Sequence, residues 1–447
     1  MASTVETEWD GVGTFGPTRP QPSGRKSTEA KYVVAQKRRV KVYKTIPSAA
    51  EVTEIMGDLR IIDGDSHFAE PPDLWTSRAP AAYRDRVPHL ERIDGEMRWV
   101  VDGQEWTGLG GHTIAKGNIK TLGTLCLPFD EIDESAWTVE GRLKLMDTQG
   151  VYAAVLYPNS IGFASNAIFG IDDIDFRNIV MSLYNDSLVD VQKDSGSRML
   201  PQAVLPIWDM DRTVAEMNRL IKAGITGFTV TDKPQNVSLP DLDHPYFAPM
   251  WSIANEAGSV INFHIGSGAP ANMGKTSPVA AASSDIYWQS FGPQRRLAVL
   301  ATQFYMSNVR IITNLCMSNL FDRYPNVKVV SAESGIGWVP FVLEAMEYQL
   351  DEMVTTAEER AVQSRRPTEY FRSNVYVMSW FERSAMKLLD DIGVDNVMLM
   401  TDIPHPTCLY PNTREYFASV TEDVDPQVRA KIVQDNAARV YGVTIPA

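Results

Sequence analysis

The chain has 447 residues, of which 44% are hydrophobic and 22% are charged, so it can bury a large core and is not globally disordered. Its 42 basic and 56 acidic residues give a net charge of −14, which argues against nucleic acid as the main partner. No apolar run approaches the roughly 18 residues that a membrane span needs, so we expect no membrane partner. Three widely spaced cysteines without a CxxC pair, and no signal-peptide core, predict a cytoplasmic protein.

Residues 1–58 differ from the rest of the chain. They contain the Pro- and Gly-rich stretch GPTRPQPSGRKS, the basic run KRRVKVYK and a short helical pattern, PSAAEVTEIMGD. A basic run is usually a solvated segment, and an arm that lies on a neighbouring subunit is the other interpretation. The segment does not fit the alternation of strands and helices that begins at residue 60. We therefore predict an N-terminal arm, 1–58, and assembly into a homo- or hetero-oligomer.

From residue 60 onward, short apolar runs alternate with amphipathic helical patterns. The predicted strands are RIIDGDSH, YAAVLYPN, MLPQAVLPIW, GFTVT, VINFHIG, VKVVSAES, VYVMSW and VMLMTDIPH. Nearly continuous apolar runs are typical of parallel strands that are covered on both faces. Eight β/α units in one series predict an α/β fold of the TIM-barrel class, a (β/α)8 barrel over residues 59–447. A doubly wound sheet is the alternative, but it would normally show a glycine-rich phosphate loop after the first strand, and the sequence has none there.

An insertion, residues 71–137, separates the first two predicted strands. Its segment RIDGEMRWVVDGQEW has two Asp-Gly pairs around a short strand pattern, which predicts tight turns. Loops that follow barrel strands lie at the catalytic face. We therefore expect the insertion to form a lid or a wall of the substrate pocket.

Acidic and imidazole side chains cluster where four of the predicted strands end. The predicted metal ligands are Asp65, His67, Glu70, His264, Glu333, Asp402 and His405. The carboxyl ends of barrel strands converge on one cavity, so residues far apart in sequence should meet there. Four buried carboxylates without a cation would be costly, which favours a metal site. His405 and Glu70 are also the predicted catalytic acid–base residues.

Other residues near strand ends are predicted to bind substrate. Tyr157 and Asn159 follow the second strand, Trp380 follows the seventh, and His112 lies in the glycine-rich segment GLGGHTIAKG of the insertion. Packing in the core is an equally good interpretation of the residues at the strand ends. The pattern does not identify the substrate.

Several motifs, in order, resemble a known superfamily. D-x-H-x-x-E on strand 1, FHIGSG on strand 5, RYPNVKVVSAESGIGW on strand 6, TDIPHP on strand 8 and the terminal DNAARVYG are similar to the amidohydrolase superfamily. The closest branch is the one related to aminocarboxymuconate-semialdehyde decarboxylase, and the resemblance covers residues 59–442. The usual H-x-H of strand 1 is Asp65-Ser66-His67 here, and the usual histidine of strand 6 is Glu333. Oxygen-rich ligand sets suit iron or manganese better than they suit zinc.

The exchanged ligands resemble those of the amidohydrolase-fold dinuclear monooxygenases, which include the platensimycin-pathway hydroxylase and 2-aminoisobutyrate hydroxylase. The resemblance implies an O₂-dependent monooxygenase with a dinuclear iron or Mn/Fe site, acting on a small organic acid or an acyl-CoA. Electrons would come from a separate reductase or ferredoxin. A mononuclear hydrolase or decarboxylase with a single divalent ion such as zinc is the alternative. A non-catalytic partner subunit is the third interpretation.

Overall fold

The computed structural model describes residues 46–106, 120, 127–164, 167–268 and 287–446. The chain divides into two compact units, Met1–Ile46 and Pro47–Ala447, and the fold described is that of the second unit. Most of the predicted arm and His112 lie outside the described residues. The domain boundaries, the lid and the oligomer therefore stay predictions. None of the helices in the described ranges is long and apolar enough to cross a membrane.

The strands of the described residues form a barrel and a small separate sheet. They are β1 (Ile61–His67), β2 (His89–Ile93), β3 (Glu96–Val101), β4 (Gln104–Glu105), β5 (Val151–Tyr157), β6 (Met199–Pro201), β7 (Ala203–Val204), β8 (Gly227–Thr229), β9 (Val260–His264), β10 (Lys328–Ala332), β11 (Val375–Ser379) and β12 (Val397–Leu399). One parallel sheet has the order β1-β5-β6, and a second has the order β12-β11-β10-β9-β8-β7. Only Gln202 separates β6 from β7, so these two short strands occupy one barrel position.

A backbone bridge connects the first and last barrel positions. Ser66 pairs in parallel with Ile403, and the His67 amide donates a hydrogen bond of 2.7 Å to the carbonyl oxygen of Ile403. The order is therefore β1, β5, β6/β7, β8, β9, β10, β11 and β12, which gives eight positions. The predicted TIM barrel is confirmed, and each of the eight predicted segments overlaps the strand or strands at its position.

The helices surround the barrel, and some of them begin at a side chain that caps the helix. They are α1 (Ala49–Met56), α2 (Val139–Gln149), α3 (Ile174–Asp194), α4 (Met210–Lys222), α5 (Ala248–Ala257), α6 (Pro293–Phe304), α7 (Val309–Cys316), α8 (Leu320–Arg323), α9 (Val339–Met353), α10 (Ala357–Arg360), α11 (Pro367–Asn374), α12 (Leu389–Ile392), α13 (Thr413–Thr421), α14 (Pro426–Ala430) and α15 (Asn436–Tyr441). Ser48 and Glu51 form a capping box at α1, and Asp173 and Asp209 cap α3 and α4. Helix α1 lies in the predicted arm, yet it places Val52 in the core of the barrel unit.

The described part of the insertion carries the antiparallel sheet β2-β3-β4. Asp94-Gly95 and Asp102-Gly103 are its two turns, and all four residues have positive φ, as tight hairpins require. The Trp75 indole N–H donates a 2.9 Å hydrogen bond to a carbonyl oxygen of α3. Trp75, near the start of the insertion, is thereby fixed to α3.

Candidate metal centre

Six of the seven predicted ligands converge at the carboxyl ends of the strands. They form two overlapping groups, Asp65, His67, His264 and Glu333, and His67, Glu333, Asp402 and His405. In each group one ligand atom per residue lies within 4.8 Å of the others, and every residue is buried. The predicted ligand Glu70 belongs to neither group of described residues.

The two imidazoles contributed by β1 and β9 are oriented as a metal site requires. His67 Nδ1 donates to the carbonyl oxygen of Pro158 at 3.1 Å, and His264 Nδ1 donates to that of Ile265 at 2.7 Å. Since a carbonyl only accepts, each Nδ1 carries a proton, and each ring presents Nε2 to the site as its ligand atom. Both Nε2 atoms are buried and have no hydrogen-bond partner in the described parts of the chain. Burial holds the pKa of His67 well below its ordinary value, which keeps this ring neutral.

The carboxylate oxygens lie at ligand-to-ligand distances from these nitrogens. Asp65 is 3.7 Å from His67 Nε2 and 3.4 Å from His264 Nε2, while Glu333 is 3.4 Å from His264 Nε2. Two ligands with metal bonds of about 2.1 Å stand roughly 3.4 Å apart in a tetrahedral site. Both oxygens of Asp65 and Oδ1 of Asp402 lack hydrogen-bond partners among the described residues. A divalent cation would satisfy these orphaned atoms, so the donor set fits a metal.

The negative charges of the site also require a cation. Burial raises the pKa of Asp65, and burial together with repulsion from Asp402 and Asp65 raises the pKa of Glu333 well above its ordinary range. Without an ion, protons must therefore replace part of the missing positive charge. A bound metal would hold the same carboxylates ionised.

Two of the acidic residues have unusual backbone conformations. Glu333 has a φ of 54° and Asp402 a φ of 59°, in the left-handed region that side chains other than glycine rarely adopt. The Asp402 amide donates to the carbonyl oxygen of Asp65 at 2.9 Å, which anchors Asp402 to β1.

Asp63 accepts hydrogen bonds from the Thr401 amide at 2.8 Å and from the Thr401 hydroxyl at 2.5 Å. Sequence reasoning missed Asp63, although its i, i+2 spacing from Asp65 was a usable signal.

The remaining predicted site residues lie beside this cluster. Glu70 accepts hydrogen bonds from the amides of Asn159 and Ser160, so its oxygens are already engaged by the loop after β5. The side chain of Asn159 contacts His405 Nε2 at 3.2 Å. The Tyr157 hydroxyl donates to a side chain of β9 inside the barrel, and its ring lies 4.9 Å from that of His264.

Aromatic rings form the apolar boundary of the site. Trp380 is fully buried and lies edge to face with Tyr305 at 5.1 Å. Phe163 was missed by sequence reasoning, because a phenylalanine in a loop carries no chemical signal. Its ring centroid lies 4.9 Å from His67, 4.2 Å from His264 and 5.7 Å from His405. Phe163 therefore covers three of the imidazoles.

Comparison with known proteins gives the family. Residues 62–443 match the family model described as Amidohydrolase. The chain belongs to the amidohydrolase family. The curated gamma-resorcylate decarboxylase of Polaromonas sp. (strain JS666 / ATCC BAA-500) is 25% identical to this amidohydrolase over 270 residues, 59% of the chain and 76% of the relative. This relative is consistent with the predicted branch of decarboxylases.

Solved structures share the fold. An amidohydrolase from Mycobacterium avium subsp. paratuberculosis K-10 has a TM-score of 0.62 at 19% identity, covering 86% of this chain and 99% of that one. The 5-carboxyvanillate decarboxylase of Novosphingobium aromaticivorans DSM 12444, solved with bound manganese, has a TM-score of 0.56 at 20% identity and covers 87% and 98%. At these identities the likeness supports the fold alone.

The prediction of an O₂-dependent monooxygenase is wrong. The curated relative is a decarboxylase, which agrees with the alternative and not with the main interpretation. The error came from the resemblance of the predicted ligand set, Glu70 included, to that of dinuclear enzymes. Glu70 is bonded to backbone amides. The other six residues form two overlapping groups, and His67 and Glu333 belong to both of them. The number of acidic residues therefore does not imply a dinuclear iron site.

Proposed function

We propose that this amidohydrolase is a metal-dependent decarboxylase that removes CO₂ from a hydroxy-substituted aromatic acid. The observation that carries the proposal is the set of buried, orphaned ligand atoms on Asp65, His67 and His264. The curated relative is named for gamma-resorcylate, and the structural neighbour that holds manganese is named for 5-carboxyvanillate. Both names describe aromatic acids with hydroxyl groups.

The ion would be held by the group Asp65, His67, His264 and Glu333, which supplies both nitrogen and oxygen donors. Mixed donors of this kind suit manganese. When bound, the ion supplies positive charge that offsets the buried carboxylates and attracts the anionic substrate. Neutral His67 leaves its lone pair available, because its other nitrogen is fixed by Pro158.

Proton delivery is assigned to the pair of Asp402 and His405. Breaking the bond between the ring carbon and the carboxylate leaves an electron pair on that carbon, which needs one proton as CO₂ departs. His405 Nδ1 and Asp402 Oδ1 are 2.9 Å apart, so each lies close enough to stabilise the charge that proton transfer creates on the other. Phe163 covers the imidazoles and excludes water from them, and its ring can stack against an aromatic substrate.

The test is CO₂ release by the full chain loaded with Mn²⁺. We would offer 2,6-dihydroxybenzoate and 5-carboxyvanillate, with unsubstituted benzoate as the control substrate. We expect turnover of at least one hydroxylated acid, abolished by a chelator and restored by Mn²⁺. His264→Ala should lose both metal and activity, while the matched variant His89→Ala, in the insertion sheet, should keep both. Full metal occupancy without CO₂ release from any hydroxylated acid would refute the proposal.

A further inference from the structure

Glu70 is a buried carboxylate that bonds to the backbone of a neighbouring loop. It is 1% exposed. Its Oε1 accepts a hydrogen bond of 3.2 Å from the Asn159 amide, and its Oε2 accepts one of 2.9 Å from the Ser160 amide. Two consecutive amides thus converge on one carboxylate, an arrangement that fixes the path of the loop after β5.

The loop held by Glu70 contacts two imidazoles of the site. The carbonyl oxygen of Pro158 accepts from His67 Nδ1 at 3.1 Å, and Oδ1 of Asn159 accepts from His405 Nε2 at 3.2 Å. The rings of His67 and His405 stack with centroids 3.8 Å apart. One short loop therefore sets the rotation of both rings.

We propose that Glu70 is a positioning residue that acts on His405 and His67 through the loop Pro158–Ser160. It contacts neither the ion nor the substrate. The amide oxygen of Asn159 bonds to Nε2 of His405, and the other ring nitrogen lies 2.9 Å from Oδ1 of Asp402. The consequence for turnover rests on the proposed decarboxylation, whereas the consequence for ring orientation does not.

Variants of Glu70 separate positioning from ligation. Glu70→Gln keeps the shape but leaves one acceptor oxygen for two amides, with an NH₂ group facing the other. We expect Mn²⁺ content equal to that of the parent, an unchanged KM and a kcat lower by roughly 10- to 100-fold, the usual effect of losing a residue that orients a metal-site group. The matched control Glu91→Gln, in the insertion sheet, should leave all three values unchanged. Loss of half or more of the metal in Glu70→Gln even at saturating Mn²⁺ would identify a ligand and overturn the proposal.

A double-mutant cycle tests the path through Asn159. If both residues act through His405, Asn159→Ala should lower kcat, and adding Glu70→Gln should lower it little further. Fully additive losses would contradict the path.

A readout without turnover keeps this test independent of the proposed function. The ring N–H signals of ¹⁵N-histidine can be followed in zinc-loaded, diamagnetic protein, and His405→Ala assigns the His405 signal. We expect this signal to be lost in Asn159→Ala and shifted in Glu70→Gln. An unchanged His405 signal in Glu70→Gln would overturn the positioning role, even if the parent decarboxylates its substrate. A changed signal in protein without decarboxylase activity would support the positioning role and refute the proposed function alone.

Discussion

Asn262, inside the barrel, is predicted to connect fold stability to metal binding. It lies on β9, two residues before His264, and is fully buried. Its side chain makes four hydrogen bonds, accepting from Tyr157 and Tyr441 at 2.9 Å each and donating to Gln202 at 2.7 Å and to the carbonyl of Phe228 at 3.0 Å. This one amide therefore fixes the phenol ring that packs against His264.

Asn262→Ala leaves two buried phenol hydroxyls without their acceptor. Each unsatisfied buried group costs about 1–3 kcal/mol, so the expected loss is roughly 2–6 kcal/mol in the free energy of unfolding. That is a large part of the roughly 5–15 kcal/mol that stabilises an ordinary domain. Because Tyr157 then loses its anchor beside His264, Mn²⁺ affinity should also fall.

Urea unfolding of the metal-free protein gives the stability change, and titration of the folded protein with Mn²⁺ gives the affinity change. Asn185→Ala is the matched control, since Asn185 of α3 is also fully buried and bonds to Val204 and Glu216 away from the site. It should destabilise the fold without changing Mn²⁺ affinity. The reasoning fails if Asn262→Ala unfolds at the parental urea midpoint, or if Asn185→Ala weakens Mn²⁺ binding as much.

Three further predictions concern charge, substrate and loop structure. The pKa values of Asp65 and Glu333 are raised, so the metal-free folded state binds protons more tightly than the unfolded chain does. The contribution of these two groups to the free energy of unfolding is therefore full below about pH 4 and is lost as pH rises through the folded pKa values. Urea midpoints measured against pH should show this loss with a chelator and not with Mn²⁺. Phe163→Ala should raise KM for an aromatic acid roughly 2- to 12-fold, which corresponds to the free energy of one aromatic contact. Elemental analysis should show an unchanged metal content. Glu382→Ala should lower the free energy of unfolding by about 1–3 kcal/mol in urea titrations, because two backbone amides lose a carboxylate acceptor.

The barrel could be predicted because its strands are buried on both faces. Val260–His264 is buried along its whole length, so its apolar residues run together in the sequence. The convergence of His67, His264 and Asp402 could be predicted from the barrel topology, since the carboxyl ends of the strands in a barrel meet at one face. The tight turns of the insertion followed from its two Asp-Gly pairs.

Side-chain direction could not be predicted from the sequence. Glu70 and Glu333 both follow strands and both are acidic, yet one bonds to backbone amides and the other faces the imidazoles. Phe163 reaches the site from a loop whose path depends on contacts distant in sequence, including the bond from Thr229 to its carbonyl oxygen. The resemblance to dinuclear enzymes was misleading for the same reason, because it included Glu70, whose side chain bonds to backbone amides.

Glu70 and Glu382 each hold a loop of the catalytic face through hydrogen bonds to its backbone amides. Each is the third residue beyond the end of its strand, and each accepts hydrogen bonds from two consecutive amides of a neighbouring loop. The loop held by Glu382 begins with Glu333 in its left-handed conformation, and a side-chain carbon at Gly335 would come within 3.0 Å of a Glu382 oxygen. Neither carboxylate belongs to the two ligand groups found among the described residues, so the bonds that hold these two loops do not depend on an ion. The loops that carry Asn159 and Glu333 should therefore keep their places in the metal-free protein, and the ion then binds to donors that are already oriented.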